Sequence, residues 1–248
     1  MNINLDECYQ FGLGAFETIA IEHGHPVFLP RHLARLDRAA DFLGLTSCAV
    51  RNINPDTITA YLNEQEKNGT SLSHCALKIM ISNENTIYHI RSNPYVPAQY
   101  KKGFVMDFSS VMRNESSPLT YHKTMNYGDC ILEKRLAARQ GMNERIFQNS
   151  KGEICEGTVS NIFFVRDQKL FTPKISCGLL PGILREYLCE SFPVEETVIL
   201  PSDLDQYQEC FVTNSLMGIM PVKKLAGHNF SKRDMSDQLL DAYKQLIV

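Results

Sequence analysis

Along residues 15–21 strand-forming apolar residues alternate with others, the segment Glu22-His23-Gly24-His25 supplies a turn, and residues 26–29 read as a returning strand. This pattern predicts a hairpin. From Pro30 the period changes. Leu33, Leu36, Ala40 and Leu43 recur three and four apart, Arg31, Arg35 and Arg38 fall on another stripe of the same helix, and Gly44 closes it. A second helix is predicted over 55–67. Residues 76–81, 86–90 and 104–109 then read as strands of one sheet, which makes the first half mixed α and β.

The segment 111–119 is polar, contains Pro118 and matches no period, so it is the expected linker between an N-terminal α/β domain (1–110) and a C-terminal domain (120–248). Beyond it, Ile131, Leu132, Leu136 and Arg139 mark a helix over 129–140 that ends at Gly141. Strands are predicted at 145–148, 161–165, 169–172, 194–200 and 209–213. A helix over 181–190 opens with Pro181 just before or at its first position, and an amphipathic helix over 231–246 closes the chain. There is no internal repeat and no long alternating βαβ series.

Composition narrows the function classes. With 248 residues, 44% hydrophobic and 21% charged, the chain can bury a sizeable core. A net charge of −3 provides no basic footprint for nucleic acid or for a membrane surface, so the expected partner is a small molecule or another subunit. The eight cysteines are spread singly with no Cys-x-x-Cys pair, which indicates neither a zinc site nor a disulfide framework and fits a reducing cytoplasm. The first ten residues lack a signal-peptide core, and no apolar run approaches the roughly 20 residues needed to span a bilayer.

Several residues carry candidate chemistry. In Tyr121-His-Lys-Thr-Met-Asn-Tyr127, Lys123 stands among small, aromatic and amide neighbours. Partial burial there would favour the neutral amine that Schiff-base chemistry requires, although a solvated surface lysine is the commoner fate. The run from Gly178 to Arg185 joins a strand to a helix and leaves backbone N–H groups at the positive end of the helix dipole, a site for phosphate as well as an ordinary loop. Arg35 can take a phosphate bidentately, or its stripe can be a solvated face paired with Asp37 or Asp41. Glu156 precedes an apolar strand and either keeps a heteroaromatic nitrogen protonated or remains an exposed turn residue. His122 adjoins the lysine as a proton-transfer group or a structural hydrogen-bonder. Dinucleotide, P-loop, His-Glu-x-x-His and Gly-x-Ser-x-Gly motifs are absent.

Taken in order, these segments resemble the fold-type IV family of pyridoxal-phosphate enzymes, which includes branched-chain and D-amino-acid aminotransferases and 4-amino-4-deoxychorismate lyase. The resemblance is carried by residues 11–18 (Phe-Gly-Leu-Gly-Ala-Phe-Glu-Thr), His32-Leu-Ala-Arg35-Leu36, His122-Lys123-Thr-Met-Asn126-Tyr127, Glu156-Gly-x-x-Ser160-Asn161 and residues 179–185 (Leu-Leu-Pro-Gly-Ile-Leu-Arg). It implies a two-domain, D-amino-acid-aminotransferase-like α+β fold with the cofactor between the domains and the C-terminal domain as its main seat. It also implies pyridoxal 5'-phosphate on Lys123, Arg35 and the N–H groups of Ile183 and Leu184 beside Gly182 at the phosphate, and Glu156 at the pyridine nitrogen. Ser160, Asn161, Asn214 and Ser215 lie near the cofactor by the same resemblance. Phe16, Arg91, Arg113 and His122 are the expected substrate contacts, and no metal is implied.

Asn214-x-Leu216-x-x-Ile219-x-Pro221-Val222 is similar to the lyase members, which release pyruvate and 4-aminobenzoate from aminodeoxychorismate on the route to folate. An aminotransferase acting on branched-chain or D-amino acids is the alternative. A homodimer is expected from the family. Leu13, Leu184 and Asn83 depart from the family pattern, standing where relatives have Asp, Thr and often Arg.

Overall fold

In the computed structural model, which describes residues 3–247, the first element starts at Asp6. Its carboxylate accepts the N–H groups of Cys8 and Tyr9 and so caps α1 (Glu7–Phe11), which ends at Gly12 with φ of 75°. The predicted hairpin follows as β1 (Ala15–Glu22) and β2 (His25–Pro26). The returning strand, expected over 26–29, is only two residues long, because the chain turns at Phe28 (φ 53°) straight into α2 (Leu29–Phe42). Then come α3 (Pro55–Lys67), capped by Asn54 with Pro55 in its first turn, β3 (His74–Ile81) and β4 (Thr86–Ser92).

These elements form the first of two units, which takes in the chain up to Pro94 together with His122–Asn126. Its antiparallel sheet has the order β2-β1-β3-β4. The pleat sorts the side chains. Ile19, Ile21, Leu77, Ile79 and Ile81 share one face and pack with Leu36, Ala39 and Ala40 of α2 and Ile58 and Leu62 of α3. Each such isoleucine or leucine contributes about 1.5–3 kcal/mol on full burial. Phe16, Thr18, Lys78, Met80 and Arg91 alternate onto the other face.

The second unit runs over Tyr95–Tyr121 and Tyr127–Leu246. It contains α4 (Pro97–Lys102), β5 (Phe104–Phe108), α5 (Gly128–Arg139), β6 (Glu144–Gln148), β7 (Ile154–Gly157), β8 (Asn161–Arg166), β9 (Lys169–Pro173), α6 (Ile183–Ser191), β10 (Val194–Thr197), β11 (Glu209–Asn214), β12 (Gly218–Leu225), β13 (His228–Asn229) and α7 (Asp234–Leu246). Strand order is β10-β9-β8-β11-β12-β5-β6-β7, with β13 on β12. The sheet curls: the Ile154 N–H in β7, at one end of this order, donates at 2.8 Å to Ile199 O just beyond β10, at the other end. Phe164, Phe171, Val212 and Met220 fill the interior, and Phe163 stacks on Phe211 at 5.0 Å.

Three expectations are corrected. Residues 104–109 do not join the sheet of β3 and β4, because β5 pairs in parallel with β12 and β6 in the second unit. The division between units lies after Pro94 rather than at 111–119. That segment is tied into the second unit, with Ser109 N–H donating to Ile146 O and Arg113 N–H to Gln148 O, both at 2.8 Å. The helix expected from Pro181 starts at Ile183, with Gly182 as its N-cap.

Candidate active site

In the first unit the lysine segment is a short antiparallel rider on the entry to β1. Phe16 N–H donates to Lys123 O at 3.0 Å, Met125 N–H to Gly14 O at 2.7 Å, and Asn126 Nδ2 to Gly12 O at 3.0 Å. Glycine is required at position 14, where a Cβ would come within 2.9 Å of Ile81 O and 2.5 Å of Cys8 Sγ. Pinned in this way, Lys123 is half-buried and carries its Nζ 4.6 Å from the centre of the buried Phe16 ring. His122 points elsewhere and stacks on Phe42 with ring centres 4.2 Å apart; burial and Arg38 lower its pKa.

Arg35 lies on the sheet side of α2 and is 6% exposed, so it does not belong to a solvated stripe. Its partner is Glu17, at 0% exposure: Arg35 Nε donates to Oε1 and NH2 to Oε2, both at 2.7 Å. His32 Nδ1 also meets Oε2 at 2.7 Å. Burial alone would raise the pKa of Glu17, but Arg35 and His32 outweigh it and hold the carboxyl well below the usual range. Burial, opposed by Glu17, lowers the pKa of His32 and so favours the neutral imidazole. Its Nδ1–H therefore donates to the carboxylate, and Nε2 is buried with no hydrogen-bond partner among the described residues. Arg91 stands exposed on β4, its NH1 donating to Ser92 O at 3.3 Å.

In the second unit Glu156 sits in β7, a fully buried strand, and is 4% exposed rather than in a solvated turn. Oε1 accepts Arg113 Nε at 2.9 Å and also its NH2, while Oε2 accepts the Leu180 N–H at 3.1 Å. Burial would lower the pKa of Arg113, but the Glu156 carboxylate overrides it and raises the value. Arg113, expected as a substrate contact, therefore serves Glu156 and also lies over the Phe147 ring at 5.2 Å.

A chain of side-chain bonds gathers the remaining residues at one end of this sheet. Asn161 Nδ2 donates to Leu180 O at 2.9 Å, and Ser160 Oγ to Glu144 Oε2 at 3.3 Å. Asn214 Nδ2 donates to Val159 O and Tyr95 Oη, both at 3.1 Å. Its Oδ1 accepts the Leu216 and Met217 N–H groups at 2.9 Å, which builds the turn holding Ser215. Gly182 packs so closely that a Cβ would lie 2.0 Å from Asn161 Oδ1. Ile183 and Leu184, each 1% exposed, open α6 without any side-chain cap, so their N–H groups have no acceptor within the helix.

Each unit by itself offers groups of the kind pyridoxal phosphate uses: the first a primary amine that can meet an aldehyde and a guanidinium that can meet a phosphate, the second a buried carboxylate that can meet a ring nitrogen and uncapped first-turn amides that can meet a phosphate. Sequence reasoning missed Glu17. The signal was present, since Glu17 falls on the apolar parity of β1 between Ala15 and Ile19, with His32 and Arg35 three apart on the facing helix. Among the described residues no group of three or more His, Cys, Asp or Glu could hold a metal, and no helix is long and apolar enough to cross a membrane.

Residues 14–225 match the profile of the family described as amino-transferase class IV. A "Probable branched-chain-amino-acid aminotransferase" of Thermotoga maritima is 28% identical over 229 residues, covering 88% of this chain and 80% of the relative. The aminodeoxychorismate lyase of Bacillus subtilis is 23% identical over 254 residues, covering 92% and 83%. Among solved structures, a "Putative 4-amino-4-deoxychorismate lyase" from Legionella pneumophila superposes with a TM-score of 0.84 at 25% identity, covering 99% of this chain and 95% of that one.

Proposed function

The chain belongs to the amino-transferase class IV family, whose members depend on pyridoxal phosphate, and from that premise we propose that it is a 4-amino-4-deoxychorismate lyase. The observation that carries this reading is the turn between β11 and β12. There Asn214, the first residue of the lyase-like pattern ending at Val222, uses both ends of its carboxamide to fix the backbone of Leu216 and Met217 and the carbonyl of Val159. The aminotransferase relative from Thermotoga favours a second reading, transamination of an amino acid with a 2-oxo acid.

When bound, pyridoxal phosphate supplies an electrophilic aldehyde for an amine and a pyridinium ring that draws electron density from the adjacent carbon. Arg35 and the N–H groups of Ile183 and Leu184 would hold the phosphate, with Ser160, Asn161, Asn214 and Ser215 close by. Glu156, hydrogen-bonded by Arg113, would meet the ring nitrogen and hold it protonated. Lys123 Nζ would carry two tasks, anchoring the cofactor and, as a free amine, moving a proton. It removes the hydrogen from the substrate carbon that bears nitrogen. It then protonates the enolpyruvyl group as the carbon–oxygen bond to the ring breaks, so that pyruvate leaves and the ring becomes aromatic. Cytoplasmic location and a homodimer belong to the same reading.

The test is an incubation of the holoenzyme with aminodeoxychorismate in the absence of any 2-oxo acid. The lyase releases 4-aminobenzoate, seen by its fluorescence, and an equal amount of pyruvate. Turnover that appears only with an amino donor and 2-oxoglutarate would establish the aminotransferase instead.

A further inference from the structure

Lys78 is a half-buried ammonium to which no carboxylate among the described residues supplies a counter-charge. It lies opposite Thr18 in the β1–β3 register, on the pleat face of Phe16, Met80 and Arg91, opposite the face that packs on α2 and α3. Its Nζ stands 4.4 Å from the centre of the Phe16 ring, the same ring that carries Lys123 Nζ at 4.6 Å. Burial and the Arg91 charge both lower its pKa, and no carboxylate among the described residues offsets them. A lysine on a sheet face ordinarily extends its stem to put the ammonium in water or against an acidic neighbour. Here two amines share one phenyl ring with a guanidinium in the background, an arrangement of like charges that an anion would relieve.

We propose that Lys78 is a specificity-determining cation that receives a substrate carboxylate remote from the reacting carbon, so that the site selects a dicarboxylate over a substrate with a branched aliphatic side chain. The proposal rests on Lys123 being the cofactor anchor, since that assignment leaves Lys78 as the ammonium on the Phe16 ring in the holoenzyme. An aliphatic side chain against Lys78 would remove the remaining water from the charge and return nothing, and a site built for a polar partner rejects a ligand that lacks it. Arg91, exposed on the same face, adds long-range attraction for the anion.

Calorimetric titration of the holoenzyme with succinate and with 4-methylpentanoate tests this directly, in parallel with Lys78→Met, Lys78→Gln and Lys78→Arg. The wild-type protein is expected to bind succinate at least about tenfold more tightly than 4-methylpentanoate. That preference should disappear in Lys78→Met and Lys78→Gln and survive in Lys78→Arg, with the visible cofactor absorption unchanged in all three. A preference untouched by Lys78→Gln, a wild-type preference for 4-methylpentanoate, or no binding of either acid would overturn the proposal. Succinate selectivity in an enzyme that forms no 4-aminobenzoate would uphold Lys78 and reject the lyase reading, so the two can fail separately.

Discussion

Glu17 and Glu156 are both enclosed strand carboxylates paired to an arginine, yet their surroundings differ. Glu17 faces the helical layer of the first unit, where Arg35 and His32 supply three donors to its two oxygens. Glu156 lies among glycine-bearing turns at the end of the second unit's sheet, with Arg113 on one oxygen and a backbone N–H on the other. The first arrangement orients a guanidinium from within the core. The second holds the carboxylate that the proposed function gives to a ligand's nitrogen. What each buried pair can do is thus set by its neighbours rather than by its burial.

Glu17→Gln attacks the first pair and is expected to have the largest effect. It takes the carboxylate charge away from a buried arginine pair, which costs about 3–5 kcal/mol. Against a typical total of about 5–15 kcal/mol this is a large drop in the urea midpoint. Glu156→Gln should instead lower turnover by about 10²–10³-fold, the range for removing a group that sets a proton's position. Its thermal midpoint should move much less, because Arg113 lies nearer the surface than Arg35. If the two substitutions were equal in stability and equal in turnover, the contrast between the pairs would be wrong.

Gly182→Ala sharpens the comparison from the other side. Its Cβ would meet Asn161 Oδ1 at 2.0 Å, so the turn must shift, at a cost of about 1–3 kcal/mol, and equilibrium dialysis should show weaker cofactor binding. The first unit should also respond to acid through its enclosed carboxyls. Hydrogen bonds from Ser82 and from the Glu84 and Tyr9 backbone hold Asp6 at about 2, and Glu17 is likewise depressed. A folded-state pKa below the unfolded one means stability that is complete above about pH 4 and lost as pH falls through the folded value. An acid titration followed by circular dichroism should show this limb, and Asp6→Asn should flatten it. Asp6→Ala, which removes the cap of α1 together with the bonds to Ser82 and the Glu84 N–H, should cost about 2 kcal/mol at neutral pH.

Much of this was legible in local pattern. The 3.6-residue period of α2 and α3, the alternation of β1 and β3, and the order of the Arg35, Lys123, Glu156 and Gly182 segments needed no partner to be recognised. What was not legible depended on distant pairing. Residues 104–108 look like a strand wherever they go, and only the pairing of Phe104 with Val222 and Met106 with Glu144 assigns them to the second sheet. Residues 154–157 are too short to stand out, which left Glu156 looking like a turn residue. The five residues of α1 lack an apolar period and owe their helix to the Asp6 cap. That Lys78 meets no counter-charge among the described residues could not be read from sequence, because it is a property of every neighbour at once.

The central claim is that, of the two amines on the Phe16 ring, Lys123 anchors the cofactor and Lys78 does not. Borohydride reduction of the holoenzyme fixes the cofactor covalently to whichever lysine holds it, and digestion followed by mass spectrometry reads the position. The added mass is expected on the peptide containing Lys123, with Lys78 unmodified. Label on Lys78, or a protein with no reducible visible absorption, would contradict it.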